Sequence, residues 1–126
     1  MAEMLSKPVV LVVEDNPVNM KLAADLLELN GFAVLKAGDG EQAFQLLAAA
    51  TPALILLDLH LPGMDGFEIF QRIRANSAWA GCKIVALTAS AMREDEEQIR
   101  DAGFTDYIAK PINTKQFIQK VKQLTA

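Results

Sequence analysis

A single cysteine, Cys82, and a single histidine, His60, are all that this chain holds of the residues that build disulfides and soft metal sites. One thiol forms no intrachain bridge, and one thiol with one imidazole makes no zinc set. Both absences fit a reducing, cytoplasmic setting. Basic clusters are missing as well: 12 Lys and Arg against 16 Asp and Glu leave a net charge of −4 with no positive patch. That balance argues against direct nucleic-acid binding. Long apolar runs are also lacking, since Val9–Val13 stops at Glu14–Asp15, too soon for a signal-peptide core or a membrane span. There is no repeat, no Gly/Ser-rich or Pro-rich linker, and no low-complexity tract beyond Ala48–Ala50. What remains is 126 residues, 52% hydrophobic and 22% charged, enough for one domain around one core.

Short apolar runs alternate with longer helical patterns. The runs are Val9–Val13, Phe32–Lys36, Ala53–Leu57, Lys83–Leu87 and Thr105–Ala109. They are rich in Val, Ile and Leu and mostly continuous, as strands covered on both faces should be. Between them, Asn16–Pro17 reads as a helix start and Asn30–Gly31 as its end. Asp39 is placed to cap the second helix, with Gln42 at the capping-box position. Asp65 opens a third running to about Asn76, and the fourth spans roughly Ala91–Ala102 before Gly103. Asn113 caps the fifth, whose Phe117, Ile118, Val121 and Leu124 form one apolar stripe. Five βα units in strict alternation predict an α/β fold, a parallel sheet with helices on both faces. In such sheets ligands bind beyond the carboxyl ends of the strands.

Those ends carry Glu14 and Asp15, then Asp58, then Thr88, then Lys110. Neighbouring strands lie about 5 Å apart, so carboxylates at the ends of adjacent strands converge and repel. A hard divalent cation relieves that repulsion; Mg²⁺ takes oxygen ligands and commonly pairs one or two carboxylates with a phosphate. Asp58 is the candidate nucleophile for an aspartyl-phosphate, because it stands alone while Glu14 and Asp15 remain to hold the metal. Lys110 offers an ammonium and Thr88 a hydroxyl for the charge on a transferring phosphoryl group. Singly, each residue has a plainer reading. An acidic pair after a strand is usually a solvated loop, Asp15 can help cap a helix, and Asp58 can merely end a strand before the Pro62–Gly63 turn. Three acids, a hydroxyl and a lysine at four strand ends make a much less ordinary set.

The segments Val12–Asn19 (VVEDNPVN), Leu57–Gly66 (LDLHLPGMDG), Leu87–Ala89 (LTA) and Tyr107–Pro111 (YIAKP) resemble, in order and spacing, the motifs of response-regulator receiver domains. The resemblance covers essentially the whole chain and implies one receiver domain over 1–126, with a core of about 8–124. It implies a flavodoxin-like (βα)5 fold, doubly wound, with strand order 2-1-3-4-5. It also implies Glu14, Asp15 and Asp58 as side-chain ligands to Mg²⁺ (or Mn²⁺), completed by the main-chain carbonyl of His60. Many receivers have Asp where this chain has Glu14, and Glu is a familiar variant there. Asp58 becomes the phospho-acceptor, Thr88 and Lys110 the phosphate-contacting pair, and Tyr107 the aromatic that turns inward as Thr88 moves. Lys110–Pro111 is expected to be cis, as in the family.

The implied partners are a histidine kinase or histidine phosphotransfer protein upstream and a protein effector downstream. Signalling would run through the fourth helix, fifth strand and fifth helix, including Ala91, Met92, Tyr107 and Ile112. No nucleic acid or membrane is expected, and the chain should be a monomer or weak dimer. The stretches Asn16–Leu22 and Ala89–Gly103 resemble both stand-alone DivK-type receivers and receivers fused to hybrid histidine kinases. The starting Met and an end just past the fifth helix favour the stand-alone form.

Other residues carry smaller expectations. The His60 imidazole belongs on the surface, and Ser90 is small enough to admit water beside the site. Trp79 covers a core edge, Cys82 is a small buried hydrophobe, and Arg93–Glu97 is a solvated helix face. Three rival readings are weighed against the switch. A haloacid-dehalogenase-like phosphohydrolase needs a second Asp two residues past the nucleophile, where this chain has His60. A flavodoxin-like cofactor binder needs a phosphate loop where this chain has Glu14 and Asp15. The third is a receiver fold used only as an unphosphorylated interaction module.

Overall fold

The computed structural model describes residues 7–61, 63–79, 81–89 and 93–126. Apolar continuity becomes burial as expected. The strands are β1 (Val9–Val13), β2 (Ala33–Ala37), β3 (Leu54–Asp58), β4 (Lys83–Thr88) and β5 (Asp106–Ala109). They form one parallel sheet in the order β2-β1-β3-β4-β5. β3 lies in the middle and all five of its residues are buried, whereas the edge strands β2 and β5 are mostly half-buried.

Alternation along each strand divides the core into two layers. Val10, Val12, Leu54, Leu56, Val85 and Leu87 pack with residues of α1 (Pro17–Leu29) and α5 (Thr114–Thr125), chiefly Leu27, Phe117 and Val121. Leu11, Val13, Ile55, Leu57, Ile84 and Ala86 pack on the other face. There they meet α2 (Gly40–Ala49), α3 (Gly66–Ala75) and α4 (Arg93–Ala102) through Leu47, Ile69, Ile73 and Ile99. Each fully buried Leu or Ile contributes about 1.5–3 kcal/mol.

Helix starts follow the capping logic. The Asn16 side chain accepts from Val18 N–H and Asn19 N–H at 2.9 and 3.1 Å, with Pro17 at the first helical position. Asp39, Asp65 and Asn113 accept from the N–H groups of Gln42, Glu68 and Gln116. The predicted capping box differs in one partner: Gln42 Oε1 accepts from Gly38 N–H, at 2.7 Å, rather than from Asp39 N–H. Gly31 and Gly103 follow the ends of α1 and α4 at φ 88 and 102, the left-handed region that stops a helix.

Several boundaries move by a residue. β2 begins at Ala33, not Phe32, because Phe32 N–H is taken by Leu27 O at the end of α1. β3 runs from Leu54 and includes Asp58, which sits level with Leu87; β4 includes Thr88, level with Ala109. β5 begins at Asp106, with Thr105 instead bracketing Ile84 through its hydroxyl and its N–H. The predicted starts of the fourth helix at Ala91, and the expectations for Pro62, Ser90 and Met92, lie outside the described residues. Cys82 is buried, and Trp79 packs on the core edge, its ring stacked on Phe44 at 6.3 Å. Lys110–Pro111 is cis. No described helix is long and apolar enough to cross a membrane.

Candidate functional site

The carboxyl end of the sheet collects the acids. Glu14 N–H donates to Ala37 O at 2.9 Å, extending the β1–β2 ladder one residue past β1, so Glu14 stays inside while Asp15 is exposed. Glu14 and Asp58 are each only 3% exposed. The ligand oxygens of Glu14, Asp15 and Asp58 lie within 4.8 Å of one another.

Lys110 follows β5 directly, and its N–H donates to Thr88 O at 2.8 Å. Its side chain passes the end of β4 to reach the acids at the ends of β1 and β3. Lys110 Nζ lies 2.5 Å from Glu14 Oε1 and 2.9 Å from Asp58 Oδ2. The other oxygen of Asp58 accepts from His60 N–H at 2.9 Å, which fixes the plane of the carboxylate. This turn is tight for a reason visible at Gly66. A Cβ there would stand 2.5 Å from Leu59 Cα and 2.6 Å from Asp58 O. Glycine lets the start of α3 lie against the segment that carries Asp58.

Burial pushes Glu14 up to about 7, reinforced by its contact with Asp58 and opposed by Lys110. Burial also works against ionisation of Asp58. Hydrogen bonds from Glu14, from the His60 N–H and from Lys110 outweigh it and hold Asp58 below the usual carboxylate range. For Lys110, burial favours the neutral amine, but bonds to Glu14 and Asp58 overcome it and raise the pKa. Below about pH 7 the proton that the pair keeps therefore sits on Glu14, and Asp58 is the carboxylate that ionises first.

Three converging carboxylates with no thiol or imidazole among them suit a hard cation such as Mg²⁺. The His60 side chain is exposed, in keeping with the surface role expected of it. The structure thus brings Glu14, Asp15, Asp58 and Lys110 together. Thr88 ends the strand between them and is 2% exposed. Tyr107 stands further back on β5, level with Ala86, and its hydroxyl donates to Glu96 on α4. Ile112 is half-buried against the α1–α5 layer, while Ala91 and Met92 of the predicted signalling face lie outside the described residues. A groove of about 470 Å³ runs along β5 and α5, lined in part by Tyr107, Pro111, Gln116 and Lys120.

Two features went unread in the sequence. Glu96 sits in a charge run that reads as a solvated face, and nothing local marks it as the partner of Tyr107. On α1, Val18 and Leu29 are 74% and 83% exposed, while Ala23 and Ala24 face the core.

The family model for the response regulator receiver domain matches residues 10–122. The polar-differentiation response regulator DivK of Brucella anthropi is 39% identical over 113 residues, covering 90% of this chain and 92% of that protein. DivK of Brucella ovis matches equally well, at 39% over the same length. Among solved structures, the receiver domain of a Pseudomonas aeruginosa sensor histidine kinase superposes with a TM-score of 0.86 at 33% identity, covering 95% of this chain and 98% of that one. That domain holds a magnesium ion in its active-site cleft. A chemotaxis response regulator of Vibrio cholerae superposes with a TM-score of 0.88 at 25% identity, covering 94% of this chain and 99% of that one.

Proposed function

The chain belongs to the response regulator receiver domain family of two-component signalling, and on that premise we propose that it takes a phosphoryl group on Asp58 from a phosphohistidine donor. The observation that carries this reading is a buried Asp58 bonded to Lys110 at 2.9 Å inside a cluster of three carboxylates. Glu14, Asp15 and Asp58, with the His60 main-chain carbonyl, would hold Mg²⁺ (or Mn²⁺). Bound there, the ion supplies charge neutralisation between the carboxylates and the incoming phosphoryl oxygens.

The chain's own groups do the rest. An Asp58 oxygen attacks phosphorus; a P–O bond forms as the P–N bond to the donor histidine breaks, and the imidazole nitrogen leaves with the electron pair. Lys110 transfers its ammonium contact from the carboxylates to a phosphoryl oxygen, and Thr88 donates its hydroxyl to another. Hydrolysis reverses the mark, with water attacking phosphorus and Asp58 leaving as carboxylate. This is a signalling switch with intrinsic phosphotransfer and autodephosphorylation rather than an enzyme acting on a metabolite.

The donor would be a histidine kinase or histidine phosphotransfer protein in the cytoplasm, and a protein effector would read the face formed by α4, β5 and α5. The half-buried Tyr107 and Ile112 and the groove along β5 and α5 support that choice of face. The phosphohydrolase alternative is disfavoured because the residue two past Asp58 is His60, whose side chain is exposed.

The test is intact-mass measurement after incubation with Mg²⁺ and acetyl phosphate, and in parallel with a phosphorylated histidine phosphotransfer protein. One labile phosphoryl adduct should appear on wild type and none on Asp58→Asn. No adduct on wild type from either donor would sink the reading, as would an adduct that survives Asp58→Asn.

A further inference from the structure

Tyr107 is held from both neighbouring helices. Its hydroxyl donates to the Glu96 carboxylate in the first turn of α4. From α5, Lys120 Nζ lies 5.4 Å from the ring centroid, donates to Tyr107 O at 2.9 Å, and stands 3.4 Å from Asp106 Oδ1. Tyr107 is the chain's one tyrosine, and its ring packs against the core layer that contains Ala86.

Register explains why this anchorage matters. Tyr107 is level with Ala86, and Thr88 is level with Ala109 two residues on. Side chains two apart on a strand share a face, so Tyr107 and Thr88 leave the sheet on the same side, one pleat apart. The residue opposite the ring, Ala86, fills little of the space between them.

We propose that Glu96 is a positioning residue: by accepting the Tyr107 hydroxyl it tethers the ring to α4 and thereby restrains the Thr88–Tyr107 rearrangement that accompanies phosphorylation of Asp58. The inference rests on the phospho-acceptor reading of Asp58. Hydrogen bonds from a hydroxyl to an ionised carboxylate are the stronger kind, and this one must break before the ring can swing toward Thr88. Linkage then runs both ways: whatever the bond takes from the activated state, activation takes from the bond, so phosphorylation frees Glu96 on the face offered to a partner. The environment of the phenol agrees with this. The Glu96 bond is the first cause holding Tyr107 above its ordinary pKa, burial and Asp106 add to it, and Arg100 opposes it.

The test uses the full chain labelled with fluorotyrosine, which places one fluorine resonance at Tyr107. In the metal-free state, Glu96→Ala should move that resonance toward the position that phosphorylated wild type takes. Glu96→Gln, whose amide oxygen still accepts, should leave it near wild type. The rate of phosphorylation by acetyl phosphate should rise about tenfold in Glu96→Ala. In a Tyr107→Phe background, which lacks the donated hydroxyl, Glu96→Ala should change that rate little. An unmoved resonance in Glu96→Ala, or a rate gain that persists in Tyr107→Phe, overturns the proposal. A wild-type chain that takes no phosphoryl group sinks the Asp58 reading and the restraint on it together. The metal-free resonance of Glu96→Ala then decides separately whether Glu96 anchors the ring.

Discussion

Glu14 and Asp58 are buried carboxylates in contact with a single ammonium, so they share one counter-charge and their pKa values move apart. Glu14 titrates at about 7 in the folded chain against an ordinary value of 4.5. A carboxyl raised in this way adds stability below its unfolded pKa and loses it as pH rises through the folded one. For Glu14 the window runs from 4.5 to about 7. The shift is worth on the order of 3 kcal/mol. Asp58 has the opposite sign: its pKa is lowered from 3.8, so its contribution is present above that value and is lost only in stronger acid. Asp58 therefore does not offset Glu14 near neutrality.

The metal-free chain should accordingly lose urea resistance between about pH 5 and pH 8, and Glu14→Gln should abolish most of that dependence. A flat wild-type midpoint across this range would contradict the assignment. The sequence placed both acids of the pair at the strand end without saying which turns inward. That was settled by one main-chain bond, Glu14 N–H to Ala37 O, made with a strand about twenty residues away.

Gly66 makes the elementary case for how helices position the site. Its N–H donates to Leu59 O at 3.1 Å, and no side chain fits between α3 and the end of β3. Gly66→Ala should force the Asp58–His60 segment away from Lys110 and destabilise the fold by about 1–3 kcal/mol, the usual range for overpacking. The stability loss would appear in the denaturation midpoint, accompanied by slower adduct formation on Asp58. A variant as stable and as reactive as wild type would show that the close approach is dispensable.

Caps were legible for the reason that makes them work. Asn16, Asp39, Asp65 and Asn113 each satisfy an N–H two or three residues on, an interaction within one turn of chain. Helix faces were less so. On α1 the residues toward the core include Ala23, Ala24 and Leu27, while Leu29, the same side chain as Leu27, points out. Hydrophobicity alone did not choose between them, because the sheet decides how much volume lies under the helix.

At the scale of the molecule, any metal that these acids hold would be coupled to folding. Glu14 and Asp15 follow β1 and Asp58 ends β3, so their oxygens converge only when the sheet is paired. A cation bound there stabilises the whole fold, by about 2.7 kcal/mol at a hundredfold excess over its dissociation constant. Mg²⁺ should raise the thermal midpoint of wild type, and Asp15→Asn should need roughly tenfold more of it for the same rise. A midpoint indifferent to Mg²⁺ would remove the metal from the site. Low pH should blunt the effect, because a proton on Glu14 competes with the ion.

The alternation of strands and helices, the caps, and the residue types at the strand ends are all legible along the chain. Each depends on backbone periodicity or on contacts within about a turn of chain. Which of those residues meet depends on how the strands and helices pack. Lys110 reaches Glu14 across 96 residues of chain and Asp58 across 52, past a strand that lies between them only in the order β1-β3-β4-β5. Glu96 became the partner of Tyr107 in the same way, because α4 packs beside β5 and turns an acid from a charge run toward the one phenol. Contacts of that kind depend on strand order and helix packing, which no local pattern encodes.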